Sequence, residues 1–571
     1  MNKIYILLFA LLIIGCSKES DKDSMPIQEQ KTVFQKVAGD ESGIRFINAI
    51  KEDIASIENV FDYDYFYNGS GVGLGDINND GLLDIVFTAN QSANKIYLNK
   101  GSLKFEDITQ KANINQGKGW STGVTFADVN ADGWLDIYIS QGGPNDDASR
   151  KNLLFINQKD LTFKEAASEY GLDDASISSQ AAFFDYDKDG DLDCIVMNEN
   201  TLYGTPPAVF YEKLDDDPTL LHHSSSHFYR NEKGIYTDIT KESGLLKATF
   251  GLGLIVSDIN ADSWLDVYIA NDYYVPDAMY INNRVGGFSD EIEEATHQVS
   301  FFGMGVDIAD INNDNHQDIF VLDMASADHY RAKTLMASMD TKSFDLLVND
   351  LDLHHQYMFN SFQLNEGNGR FKNMAQLTKL AKTDWSWAVL MSDYDNSGAK
   401  DIYVTNGYRR YALDNDTRTK VLQAKRQYRG DVPLEVKRQI YNAMPSEKLS
   451  NLLYQNTGNL NFKDMSTDWG VSHPSFSNGA AYGDLDNDGD LELIVSNIDD
   501  EAFLYKNLSV ENKLGNYLMV STQSENGESF AKVSIKYNGE TQLVECNRVK
   551  GYLSSMDHTA HFVLKPSNNC L

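Results

Sequence analysis

Residues 76–84 read DINNDGLLD, which puts Asp76, Asn78, Asp80 and Asp84 at positions 1, 3, 5 and 9 and Gly81 at position 6. Oxygen side chains on alternate residues of a tight loop can converge on one hard cation. A backbone carbonyl at position 7 adds a ligand and the position-9 carboxylate closes the shell, which suits the roughly six to eight oxygens that calcium takes. Magnesium more often keeps waters and needs fewer carboxylates, so Ca2+ is the expected ion. Glycine at position 6 allows the positive φ of the sharp turn. The pattern occurs seven times in the chain. The second copy offers Asp128, Asn130, Asp132 and Asp136, and the third Asp185, Asp187, Asp189 and Asp193. The fourth offers Asp258, Asn260, Asp262 and Asp266, and the fifth Asp310, Asn312, Asp314 and Asp318. The sixth offers Asp393, Asp395, Ser397 and Asp401, and the seventh Asp484, Asp486, Asp488 and Glu492.

An EF-hand shares the first positions but requires a bidentate Glu at position 12 and flanking helices. Here position 12 is Phe87, Ile139, Val196, Ile269, Val321, Val404 or Val495, all apolar strand residues. The helical loop is excluded. On acid count the third and seventh loops are expected to bind best. Ser263 and Asn315 stand where glycine is preferred, and Ser397 replaces the position-5 acid, which makes the sixth loop the weakest. For any single loop, an Asx-rich turn without metal is the alternative.

The elements that must hold these loops also repeat. A short Gly/Ala-rich apolar run precedes each loop (GVGLG, GVTFA, AAYG) and a β-branched run follows it (IVFTAN, IYISQ, IYVTN). Then come KIYLN, LLFIN, HFYRN, AMYIN, SFQLN, LLYQN and FLYKN, and after most of these a run opened by Phe or Tyr, such as KFEDIT. Each unit is four short strands with the acidic loop between its first two, and seven such units predict a β-propeller. The last unit lacks a closing strand, while the chain starts with an orphan one, VFQKVA at 33–38. Pairing the two would close the ring and remove its exposed edges, whereas a linear β-solenoid would leave the orphan unexplained. Long insertions fall at 198–226, 325–359 and 406–450, the last with helical patterning, and such insertions are where binding surfaces lie.

The chain has 571 residues, with 84 Asp plus Glu against 49 Lys plus Arg, a formal net charge of −35. Such a surface repels phosphate backbones, so nucleic acid is excluded as an expected partner. Residues 1–15 read as a targeting signal: Lys3 precedes the apolar run Ile4–Ile14, which is short for a bilayer span, and IIGC ends at Cys16. Residues 16–32 read as a polar tether. Cleavage before Cys16 would let its thiol carry lipid; an uncleaved anchor is the alternative. No later segment is apolar enough to cross as a helix, so the body is expected to be soluble and held to the membrane through that lipid. Cys194 has the pattern of a core thiol, and Cys546 and Cys570 could pair in an oxidising compartment.

The units resemble the FG-GAP or VCBS repeats of seven-bladed propellers, the architecture of integrin α-subunit heads, over roughly residues 34–507. The resemblance implies an all-β fold: a seven-bladed β-propeller over 33–510 with integrin-α-like calcium loops, plus a small β-rich segment. That segment, 511–571, is similar to the start of an ASPIC/UnbV domain, notably GYLSSMDHTAHF at 551–562. FAKV stands where that family has GAKV, and the chain ends where the family continues, which implies a truncated domain. The combination resembles surface lipoproteins of Bacteroidetes-like bacteria associated with glycan uptake. It implies an outer-membrane lipoprotein of a Gram-negative bacterium, at the cell surface, with a membrane contact through lipid and a glycan or protein ligand.

Three function classes remain open. A binding scaffold would use aromatic residues in or near the insertions, Tyr203, Tyr211, Tyr273, Tyr274, Tyr330, Trp385, Trp387 and Tyr408, although most aromatics in a propeller are packing residues. A hydrolase or lyase acting on polysaccharide or phosphodiester needs a nucleophile or acid–base pair. The only notable clusters are His222–His223 and His354–His355 with His329 and Arg331; adjacent histidines on an extended segment point to opposite sides, which argues against a shared metal. No G-x-S-x-G or H-E-x-x-H occurs. The third class is a structural subunit of an outer-membrane assembly.

Overall fold

The computed structural model describes residues 31–114, 119–144, 149–335, 341–522 and 530–564. The expected signal, the expected tether as far as residue 30, Cys16 and Cys570 lie outside the described residues. Seven antiparallel sheets follow one another along the chain. In blade 1, Val72–Gly75, Asp84–Phe87, Lys95–Asn99 and Phe105–Asp107 pair in that order. The first strand of each sheet touches the first strands of both neighbouring sheets, and that of the seventh touches that of the first, so the sheets form a closed ring with these strands innermost. Blade 6 has a fifth strand because Met324–Ala325 adds to the inner edge of Asp384–Ser392.

Ring closure follows the orphan-strand reading. Phe34–Val37 pairs antiparallel with Phe503–Asn507, Phe34 opposite Asn507, as the outer strand of blade 7. The second strands are apolar on both faces because each sheet lies between two others; all six residues of Asp136–Gln141 are buried. Glycine in the inner strands is a matter of close approach. A Cβ on Gly71 would lie 1.6 Å from the Leu553 carbonyl oxygen, and one on Gly305 would lie 2.2 Å from that of Trp387.

Strand order fixes what each rim carries. The acidic loops join first to second strands and so share one rim. Connections from second to third strands emerge at the opposite rim, and all three long insertions are of that kind. The first carries helices Pro207–Asp216 and Pro218–His223, and the second His329–Thr334 and Thr341–Asp345, the latter continued by a wide turn at Leu346–Asp350. The third carries Asn415–Gln427 and Leu434–Asn442, where helical patterning was expected.

The axis of the ring is filled from both ends, which sequence pattern did not indicate. From the insertion rim, residues 44–70 cross the opening. Tyr63 packs edge-on to Trp120 and Tyr203, Tyr65 to Tyr273, and Tyr67 to Tyr408, with ring centroids 5.9–6.4 Å apart. From the loop rim, residues 549–556 enter. Gly551 and Val306 exchange backbone bonds of 2.7 and 3.0 Å, the Leu553 carbonyl accepts from Val124 N, and Gln180 Nε2 donates to the Ser554 carbonyl at 3.0 Å. The two segments meet where Tyr552 Oη donates to the Asn68 carbonyl at 3.0 Å. GYLSSM is thus an axial plug. Beside it the tail forms two strand pairs, Asn516–Val520 with Ala560–Leu564 and Lys532–Tyr537 with Glu540–Glu545, lying against the loop rim.

Candidate metal centres

The seven loops share one backbone geometry. In loop 1 both oxygens of Asp76 accept amides, from Asp80 at 3.1 Å and from Gly81 at 2.7 Å, and Asp80 Oδ1 accepts from Leu82 N at 3.0 Å. Position 6 has positive φ in every copy, including Ser263 (+70°) and Asn315 (+71°). Position 4 is left-handed too: Asn79, Ala131, Lys188, Ala261, Asn313, Asn396 and Asn487 all have φ between 52 and 63°. Asn, which tolerates this conformation, fills the position in four copies, but Ala131, Ala261 and Lys188 in the other three obscure the pattern in the sequence.

Position 9 is buried and doubly bonded. Asp84 accepts from Ile77 N at 3.1 Å and from Asn99 N at 2.7 Å. Asn157, Asn231, Asn282, Asn365, Asn456 and Asn507 bond the position-9 acids of their own blades in the same way, at 2.8–3.2 Å. The side chains of most of these asparagines reach the neighbouring blade: Nδ2 of Asn157 donates to the Ile77 carbonyl, that of Asn282 to Tyr186 and that of Asn456 to Ile311. The asparagine ending the KIYLN-type run therefore ties one loop to the next in every blade but the third, where Asn231 donates within its own blade, to Leu192. Its recurrence was visible in the sequence, but its role was not.

Burial pushes the Asp84 carboxyl up to about 7, and the Asp76 and Asp80 charges add to that against the pull of its two amide bonds. Asp193 and Asp266 are likewise driven up to about 8, and Glu492 well above the carboxylate range. Among the described residues, three loops bring carboxylate oxygens within 4.8 Å of one another. These are Asp185, Asp187 and Asp193; Asp393, Asp395 and Asp401; and, in the seventh, Asp484, Asp486 and Asp488, with Asp490 and Glu492 adjoining. The sixth loop, expected to be weakest, converges like the third and seventh, because its position-3 acid lies against positions 1 and 9. The donors are all hard oxygens, which fits a divalent cation of the calcium type.

The other candidate groups do not converge on a reactive centre. His222 and His223 lie in a helix, not on an extended segment. His222 stacks on His227, whose Nδ1 is 2.6 Å from Asp174 Oδ2. His354 is buried against Thr296, while His355 packs on Phe344. Arg331 makes a two-pronged contact with Asp384, at 2.8 and 2.6 Å. Of the eight aromatics considered for ligand contact, Tyr274, Trp385, Trp387 and Tyr408 are buried, Tyr203, Tyr211 and Tyr273 half-buried, and Tyr330 exposed. Packing claims most of them. Cys194 and Cys546 are buried free thiols.

A family model for the FG-GAP-like repeat matches residues 76–139 and 258–321, spanning loops 1 to 2 and loops 4 to 5. No curated protein sequence matches the chain. Among solved structures, an Agrocybe aegerita lectin described as recognising non-reducing terminal N-acetylglucosamine is 13% identical, over 77% of this chain and 89% of its own, with a TM-score of 0.38. The rhamnogalacturonan lyase YesW is 11% identical over 77% of this chain and 71% of its own, with a TM-score of 0.34. A Bacillus licheniformis rhamnogalacturonan lyase is 10% identical over the same shares, with a TM-score of 0.35. The chain carries FG-GAP-like repeats in a seven-bladed propeller.

Proposed function

We propose that this chain is an outer-membrane lipoprotein of a Gram-negative bacterium, lipidated at Cys16, whose calcium-held propeller presents its insertion rim to a glycan or partner protein. The supporting observation is how the two rims are used. The loop rim is overlaid by the tail and the axis is filled, whereas the insertion rim gathers all three long insertions. A groove of about 590 Å³ opens there between the second insertion and blade 6. Phe344 and Tyr357, with centroids 5.9 Å apart, form one wall, and Trp385 and the Arg331–Asp384 pair form the other. Among the described residues Trp385 Nε1 has no acceptor. Aromatic faces beside fixed polar groups suit a sugar ring, whose two faces are apolar and whose edge carries hydroxyls.

Calcium would be held by the loop carboxylates and would supply rigidity, with no part in chemistry. The net charge of −35 argues against nucleic acid as the ligand. The test is binding of the calcium-loaded chain to a glycan panel, alongside Phe344→Ala and Tyr357→Ala. Affinity for a hit should fall about tenfold in either variant while the melting temperature stays. Unchanged affinity in both would place the ligand elsewhere. Release of product from polysaccharide or phosphodiester substrates would replace binding with hydrolase or lyase activity.

A further inference from the structure

The third ligand position divides the seven loops into two sets. Asn78, Asn130, Asn260 and Asn312 occupy it in loops 1, 2, 4 and 5, and Asp187, Asp395 and Asp486 in loops 3, 6 and 7. The residue just before the third-strand asparagine divides in the same way. It is Leu98, Ile156, Ile281 and Leu364 in the first set, and Arg230, Gln455 and Lys506 in the second. No blade breaks the correspondence.

The geometry explains it. Where position 3 is asparagine, its own Nδ2 can donate to the position-5 carboxylate, as from Asn78 to Asp80 at 2.9 Å, Asn260 to Asp262 at 3.0 Å and Asn312 to Asp314 at 2.8 Å. An aspartate has no such donor. In those blades a donor arrives from the third strand instead. Gln455 Nε2 donates to Asp395 Oδ2 at 2.7 Å. Lys506 Nζ lies 3.3 Å from Asp486 Oδ2 and 3.9 Å from Asp488 Oδ2, with Glu511 Oε1 at 2.6 Å. Arg230 holds the same place in blade 3, but its guanidinium donates to Glu232 at 2.5 Å and reaches Asp187 only as a charge.

We propose that Gln455 and Lys506 are positioning residues of the metal loops, each supplying from outside the donor that an aspartate at position 3 lacks, while Arg230 brings only its charge to the third loop. This rests on the calcium reading. In the seventh loop the donor is a full charge that reaches two loop acids, so Lys506 competes with the cation for their oxygens and withdraws to Glu511 when an ion binds. That loop holds calcium less tightly than its four acids imply.

The test is a double-mutant cycle on the full chain, melted in chelator and in excess calcium. The variants are Lys506→Leu, Asp486→Asn and the pair together, which recreates the Asn–Leu combination of loops 1 and 5. Lys506→Leu should melt lower than wild type in chelator yet gain more on adding calcium, with one site bound roughly three- to tenfold more tightly by calorimetry. Asp486→Asn alone should melt lower in both conditions. The double variant should regain most of what either single change loses in chelator. Equal losses from Lys506→Leu with and without calcium, or strictly additive losses in chelator, would overturn the proposal. A wild type that gains nothing from calcium would remove the calcium reading and the competition with it, while the chelator cycle still decides the pairing. If the seventh-loop variants do not fold, Asp395→Asn with Gln455→Leu runs the same cycle in the sixth.

Discussion

At the scale of single residues, the loops show what side-chain type alone can convey. Alternating acids and a glycine announce the ligand positions and one left-handed turn, because each demand excludes most other residues. Ser263 meets the same backbone demand at φ +70° without glycine's freedom. A left-handed conformation costs a residue with a Cβ about 1–2 kcal/mol, part of which glycine returns as unfolded-state entropy. Ser263→Gly should therefore stabilise the chain by about 0.5–1 kcal/mol in denaturant titration. Gly43→Ala should cost far more than Gly81→Ala, since both have φ above +80° but a Cβ at 81 meets open space whereas one at 43 would lie 2.2 Å from the Phe105 carbonyl oxygen. The His227–Asp174 pair gave no local signal, its partners being 53 residues apart. Burial opposes the charged imidazole, but the bond to Asp174 outweighs it and raises His227 to about 9. Asp174 is also opposed by burial, and its bonds to His227, Ser176 and Tyr229 lower it to about 2. A raised histidine stabilises fully below its unfolded value near 6.5 and loses that contribution as pH rises through about 9; a depressed aspartate contributes above about 4 and loses it as pH falls through about 2. Wild-type stability should carry a decline between pH 7 and 9 that His227→Gln lacks, read from denaturant midpoints across that range.

At the scale of elements, repetition made the strands legible. Seven copies average out the ambiguity of any one short apolar run, so the blades and the closing strand could be read without knowing any contact. Short helices were harder to see. Pro218–His223 and His329–Thr334 are only six residues each, too short to show an amphipathic period, and an Asp cap starts each of them. The closing strand yields the sharpest element-level expectation. Phe34 is 2% exposed and packs edge-on to Tyr394 and Tyr505, with centroids at 5.9 and 6.5 Å. It joins the two ends of the chain within one blade. Phe34→Ala should cost about 3–5 kcal/mol. Because its loss also frees the edge of Phe503–Asn507, concentration-dependent aggregation should accompany the lower melting temperature. A variant that melts as wild type and stays monomeric in light scattering would mean that the ring is held shut elsewhere.

At the scale of the whole molecule, the axis decides what the tail is for. Residues 44–70 and 549–556 have no period, and their conformations are set by the hole they fill, so nothing local in the sequence could place them. The first half of GYLSSMDHTAHF fills the axis of the propeller, and its second half leads into the tail strand Ala560–Leu564. Tyr552 is buried against Trp387, and a tail cation, Lys550, lies 3.8 Å from Asp307 inside blade 5. Asp307 is fully buried, and the Lys550 charge does most to offset the effect of that burial. Lys550→Met would leave this carboxylate in the core with its amide bonds and the weaker pull of Lys400, a loss of about 3 kcal/mol. Ending the chain after residue 545 would remove the plug as well and hydrate the inner strands, whose glycines left room for it. Both changes should lower the one melting transition of the propeller, the truncation more than the point substitution. If the tail were an appended module, the truncated chain would keep its melting temperature and lose only a separate early transition in calorimetry.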